Sequence, residues 1–163
     1  MRKLFILIAT LLSASVLMAG GDTSPTLSPV VNVQEKLCDN DGVYIDRDAN
    51  LMWQDAVYTD AEDGAYKRDQ SIGKVGTYAH AMNYCSRLNY DGFSDWRLPT
   101  SNELMAVHRQ HGQVFVNHRG NPFWSSTPTT ENRYEVVFPA DSYPYMRRPN
   151  SENYIRCVRC LDK

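Results

Sequence analysis

The chain has 163 residues, with 17 Lys and Arg against 19 Asp and Glu, and 42% of its residues are apolar. A slightly acidic balance gives no overall field that would draw a polyanion, so nucleic acid is excluded as a partner. Four cysteines, Cys38, Cys85, Cys157 and Cys160, make the redox compartment the next question.

Residues 1–20, "MRKLFILIATLLSASVLMAG", carry two basic residues, an apolar run from Leu4 and small residues at the end, the pattern of a secretory signal peptide. The run is short and broken by Ser and Thr, and no cysteine follows it directly. No stable membrane anchor is therefore expected after cleavage. Arg2 and Lys3 leave with the segment, so 17 basic residues become 15 against 19 acidic ones, a formal charge of −4. All four cysteines fall in the part that would be exported to the periplasm or beyond, where disulfides persist. Two bridges are expected, and four cysteines allow three pairings.

Residues 21–36 are rich in Ser, Thr and Pro and read as a linker, which leaves one domain over residues 37–163. "GVYIDRDANLMWQD" gives two short apolar runs around "DRDAN", the pattern of a β-hairpin. Residues 55–76 are polar and contain Gly, and read as a surface loop. From Thr77, the residues Tyr78, Ala81, Met82, Cys85 and Leu88 recur at helical spacing, which turns Cys85 toward the core. In "DWRLPTSNELMAV", Thr100 and Glu103 form a Thr-x-x-Glu capping box that opens a second helix. Leu104, Val107, His108 and His111 are its expected inward stripe. Beyond Gly112, "VFV", "PFWSST", "RYEVVF" and "NYIRCVRC" read as short strands. Trp53, Trp96 and Trp124 are expected in the core, with Arg97 as a buried guanidinium paired to a carboxylate or to carbonyls.

"DRDANLMWQD", "AMNYCSRLNYDGFSDWRLPTSNEL", "PFWSST" and "YIRCVR" together resemble, in order and spacing, the Lcl C-terminal-like domain family, named for the end of the Legionella collagen-like adhesin. The resemblance implies an α+β fold of the C-type-lectin-like class: two helices packed on a twisted antiparallel sheet, terminal strands paired, long loops and two disulfides. It also implies the pairings Cys85 with Cys157 and Cys38 with Cys160. "RLPT" is in addition distantly similar to a segment of formylglycine-generating enzymes. Those enzymes use cysteines near the chain end, but Cys157 and Cys160 lie in a strand-like segment without the helix N-terminus that activates a thiol. No catalytic residue is assigned and no enzyme activity is expected.

His108, His111 and His118 lack a fourth ligand for zinc. In "DRDAN", Asp46, Asp48 and Asn50 alternate as in a calcium loop, but Leu51 stands where glycine is required. No metal and no cofactor is assigned. The sugar-binding triplets that hold calcium in many C-type lectins are missing too. What remains is "ADSYPYMRRPNSEN", residues 140–153, read as an exposed loop. Tyr143 and Tyr145 offer flat apolar faces there, and Arg147 and Arg148 offer bidentate donors to sulfate, carboxylate or phosphate. Arg133 is included in this ligand-binding set, with Arg119 and His118 as further neighbours if the preceding loops converge. The expected function is an exported, non-enzymatic binding module for an anionic glycan or cell-surface polymer. The alternative is a periplasmic inhibitor or assembly factor that grips a protein.

Overall fold

A computed structural model describes residues 42–161; the expected signal peptide, the linker and Cys38 lie outside the described residues. Strands β1 (Val43–Asp46) and β2 (Leu51–Gln54) form the expected hairpin over residues 47–50. Asn50 takes the left-handed conformation at φ 56° that the turn requires, and the Asp46 carboxylate accepts the Ala49 amide at 3.0 Å. Three helices follow in place of two: α1 (Asp60–Lys67), α2 (Tyr78–Ser86) and α3 (Ser101–His108).

Helix α1 and the short strand β3 (Val75–Gly76) occupy the stretch expected to be a surface loop. Thr59 and Glu62 form a second capping box, the same device as Thr100 and Glu103. Glu62 is itself buried, and it accepts both the Lys74 amide at 2.7 Å and the Lys74 ammonium at 2.9 Å. Those donors hold its carboxyl below the usual range against the opposing effect of burial, so α1 enters the core through an ion pair.

The remaining strands are β4 (Phe123–Pro128), β5 (Tyr134–Phe138), β6 (Tyr143–Arg147), β7 (Asn153–Tyr154) and β8 (Val158–Cys160). They make two sheets, one ordered β1-β2-β8 and one ordered β3-β7-β4-β5-β6. All pairs are antiparallel except β4 with β7. The terminal strands share a sheet, but β2 separates them, so the expected direct pairing of first and last strand is corrected. "VFV" forms no strand; its central Phe115 is buried as an aromatic plug. "NYIRCVRC" divides between the two sheets, with β7 in one and β8 in the other.

All three tryptophans are buried, as expected. Trp53 packs with Tyr58, Leu104, Val107, Phe115 and Phe123 in one cluster, and Trp96 and Trp124 with Val136 and Ile155 in the other. Cys85 on α2 and Cys157 just before β8 are bonded at the centre of the second cluster. The described residues hold this one disulfide rather than two. Cys160 is an exposed free thiol, and its expected partner Cys38 lies outside the described residues. Met82 and His111 are exposed instead of inward: Met82 sits on the outer side of α2, and His111 comes after α3 has ended. Arg97 is half-exposed and grips Glu103 with two hydrogen bonds of 2.8 and 2.6 Å. One carboxylate thus caps α3 and ties it to the strand-like segment before it.

The Cys85–Cys157 bridge spans 72 residues, a separation at which a crosslink restricts the unfolded chain strongly. Replacing both cysteines by serine should lower stability by about 2–4 kcal/mol in urea unfolding. An unchanged midpoint would show that the bridge contributes nothing.

Candidate functional site

The segment expected to be a ligand-binding loop is largely strand. β6 pairs antiparallel with β5, with Tyr143 opposite Phe138, Tyr145 opposite Val136 and Arg147 opposite Tyr134. Alternation along a strand puts Tyr143, Tyr145 and Arg147 on one face. The lower part of that face is core, since Val136 is fully buried, but β6 is the edge strand and its side chains run past the cover. Tyr143 is 58% exposed and Tyr145 40%.

These side chains form a continuous aromatic surface. Tyr143 and Tyr145 meet edge to face at 5.4 Å between centroids, and Tyr145 meets Phe138 at 5.1 Å. The Arg147 guanidinium lies 5.9 Å from the Phe138 ring centre. Tyr145 donates its hydroxyl to Asp141 at 2.7 Å, which fixes the ring and raises the phenol pKa. Arg148 follows the strand and is exposed. Arg133 immediately precedes β5, so it and Arg148 flank the last pair of the ladder; Glu131 is 3.7 Å from Arg133. The structure therefore brings Tyr143, Tyr145 and Arg147 together on one face, with Arg133 and Arg148 at its end. Arg119 does not join them. It is bound through two nitrogens to Asp63 of α1, at 3.0 and 2.9 Å, and the exposed His118 precedes it.

A second polar constellation was not visible in the sequence. Arg156 is 1% exposed and Asp55 3%, and they pair at 2.9 Å. Asp55 also accepts the amides of Val116 and Asn117, at 2.7 and 3.0 Å. Arg156 donates to the carbonyls of Gln54, at 2.8 Å, and Asn117, at 2.5 Å, while its plane lies 3.8 Å from the Phe115 ring centre. Beside this node is a cleft of about 470 Å³ lined by Gly42, Asp55, Ala56, Val57, Tyr90, Val116 and Asn117. The only early hint was an aspartate placed directly after a strand.

His108 at the end of α3 touches the same aromatic cluster, at 5.8 Å from Phe115 and 6.1 Å from Phe123. Its Nε2 is buried with no partner, and burial, aided by Arg156, pushes its pKa down to about 4. Among the described residues no group of three His, Cys, Asp or Glu side chains is placed to hold a metal ion.

Two outcomes follow from this chemistry. Asp55→Asn leaves Arg156 buried and uncompensated, and should cost about 3–5 kcal/mol in equilibrium unfolding. His108 has a folded pKa below its unfolded value, so its contribution is complete above about pH 6.5 and is lost as pH falls through about 4. Unfolding free energy should therefore fall from pH 6.5 toward pH 5, and His108→Gln should flatten that slope. An identical slope in the variant would assign the pH dependence elsewhere.

No curated protein matches the chain. The family model described as the Lcl C-terminal domain matches residues 42–159, from the start of β1 into β8 and across both constellations. The chain belongs to the Lcl C-terminal domain family.

Proposed function

We propose that this domain is an exported, non-enzymatic binding module of the C-type-lectin-like class, which holds an anionic glycan or cell-surface polymer on the β6 face. The observation that carries the reading is the exposed Tyr143 and Tyr145, with the half-buried Arg147 on the same face of an edge strand. Tyrosine faces take the apolar side of a sugar ring, and the arginines at the ladder's end offer planar donors to sulfate or carboxylate. Membership of a family named for an adhesin's terminal domain supports the same class of role. Helices packed against antiparallel strands, with a disulfide from a helix to the C-terminal strand region, suit the proposed fold class.

A closed disulfide suits an oxidising compartment, and no helix among the described residues is long and apolar enough to cross a membrane. The disulfide supports export to the periplasm or cell exterior. Arg97, the one arginine of "DWRLPT", is engaged by Glu103, which supports a scaffold role for that motif.

Binding to immobilised heparin and to an uncharged dextran tests the proposal. Tyr143→Ala and the pair Arg147→Ala, Arg148→Ala should each weaken heparin retention about tenfold, while the unfolding midpoint stays close to wild type. Unchanged retention in both variants would remove the β6 face from the account.

A further inference from the structure

Among the described residues the three-stranded sheet has an open edge of its own. The Asp55 amide donates to the Gly42 carbonyl, which makes Gly42 and Asp55 a hydrogen-bonded pair. Bonded and non-bonded pairs alternate along an antiparallel ladder, so Tyr44 with Trp53 and Asp46 with Leu51 are the next bonded pairs. Val43 and Ile45 then aim their amides and carbonyls away from β2. The partner strand agrees: Gln54, opposite Val43, donates its amide to Cys157 on its other side. Among the described residues nothing bonds to the backbone of Val43 or Ile45 on the open side.

This edge lies in a groove. A cleft of about 350 Å³ runs along Val43, Tyr44, Ile45 and Arg47, with Val114 and Val116 across it. It shares Asp55 and Val116 with the larger cleft beside the Asp55–Arg156 pair, so the two adjoin. Val116 is 84% exposed and Val57 68%, and both stand on the rim as side chains with little to cover them. From Gly42 to Arg47 an extended chain spans about 16 Å, the reach of about five residues.

We propose that this groove takes an extended peptide of a partner protein, added as a fourth strand on the open edge of β1. The backbone of Val43 and Ile45 supplies the ladder, and the cleft beside Val57, Tyr90 and Val116 receives an apolar side chain. Charge selects the rest of the peptide. Two charged residues line the clefts: Asp55, which is neutralised by Arg156, and Arg47, which is exposed and in no ion pair among the described residues. An acidic residue or a C-terminal carboxylate therefore sits at the Arg47 end. Val114 and Val116 line the cleft together with the edge, which favours a single narrow strand over the edge of a second folded sheet. Edge strands that avoid pairing carry proline or lysine, as β6 does with Pro144; β1 carries neither.

The test uses the full chain, a random-peptide display library and the peptides it selects. Selected peptides should alternate β-branched residues and carry an acidic residue at one end. Ile45→Pro removes an amide that β2 does not use, so β1 can still pair with β2, and affinity for a selected peptide should fall about fivefold or more. N-methylation of the peptide at alternate residues should abolish binding in one phase and spare it in the other, a readout independent of any variant's folding. Arg47→Glu should reverse the selected end charge. No enriched peptide, equal binding by the Ile45→Pro variant, or tolerance of N-methylation at every position would overturn the proposal. A dimer in solution that Ile45→Pro dissolves would assign the edge to a second copy and overturn it as well.

Discussion

The pair of Asp55 and Arg156 is the constraint on which much of the arrangement depends. It joins the end of β2 and the run into β8, which are already ladder partners, to the segment at Val116 and Asn117, which belongs to no strand. Taking two charges out of water is costly, and mutual attraction offsets that cost only when the remaining donors and acceptors are also met. Here the carboxylate accepts two backbone amides besides the guanidinium, and the guanidinium reaches two carbonyls, which leaves only the Arg156 Nε of this pair buried without a hydrogen-bond partner among the described residues. Its flat face rests on Phe115, so the irregular segment after α3 is pinned by both a polar and an aromatic contact. The groove along β1 exists because that segment is held at a fixed distance from the hairpin.

Around this node arginine occurs in two settings. Arg97, Arg119, Arg156 and Arg159 each pair with a carboxylate, Glu103, Asp63, Asp55 and Asp95, and each pair ties one part of the chain to another. Arg147 instead shares a face of the edge strand with the exposed Tyr143 and Tyr145, with Arg148 after it and Arg133, 3.7 Å from Glu131, before β5. A domain with a formal negative charge can still present a local cationic and aromatic surface, because charge is distributed unevenly over a surface. A slightly negative net charge gives no overall attraction for a polyanion, but it says little about this small face.

How much of this was legible follows the range of the interactions involved. The hairpin, α2 and the Thr100–Glu103 cap are local, and their residues appear within a few positions of one another. α1 carries an equally local cap in Thr59 and Glu62, but its inward face holds a carboxylate and Ala65 where an apolar stripe would be sought, so the helical period is hidden. β6 was hidden for a related reason. Pro144 and an exposed face remove both the ladder signal and the alternation, and only pairing with β5 makes it a strand. Asp55 and Arg156 lie 101 residues apart, and no spacing rule connects them. The candidate residues of the β6 face were readable by type, whereas their shared orientation depended on the register.

The central claim is that recognition occurs on the β6 face while the Asp55–Arg156 node serves the scaffold. Amide chemical shifts recorded during titration with a sulfated heparin oligosaccharide test it most directly. The account predicts perturbations gathered at Phe138 and over residues 143–148, with Asp55, Asn117 and Arg156 unmoved. Perturbations centred on the cleft at Gly42, Val57 and Val116, or a spectrum that does not change at all, would contradict it.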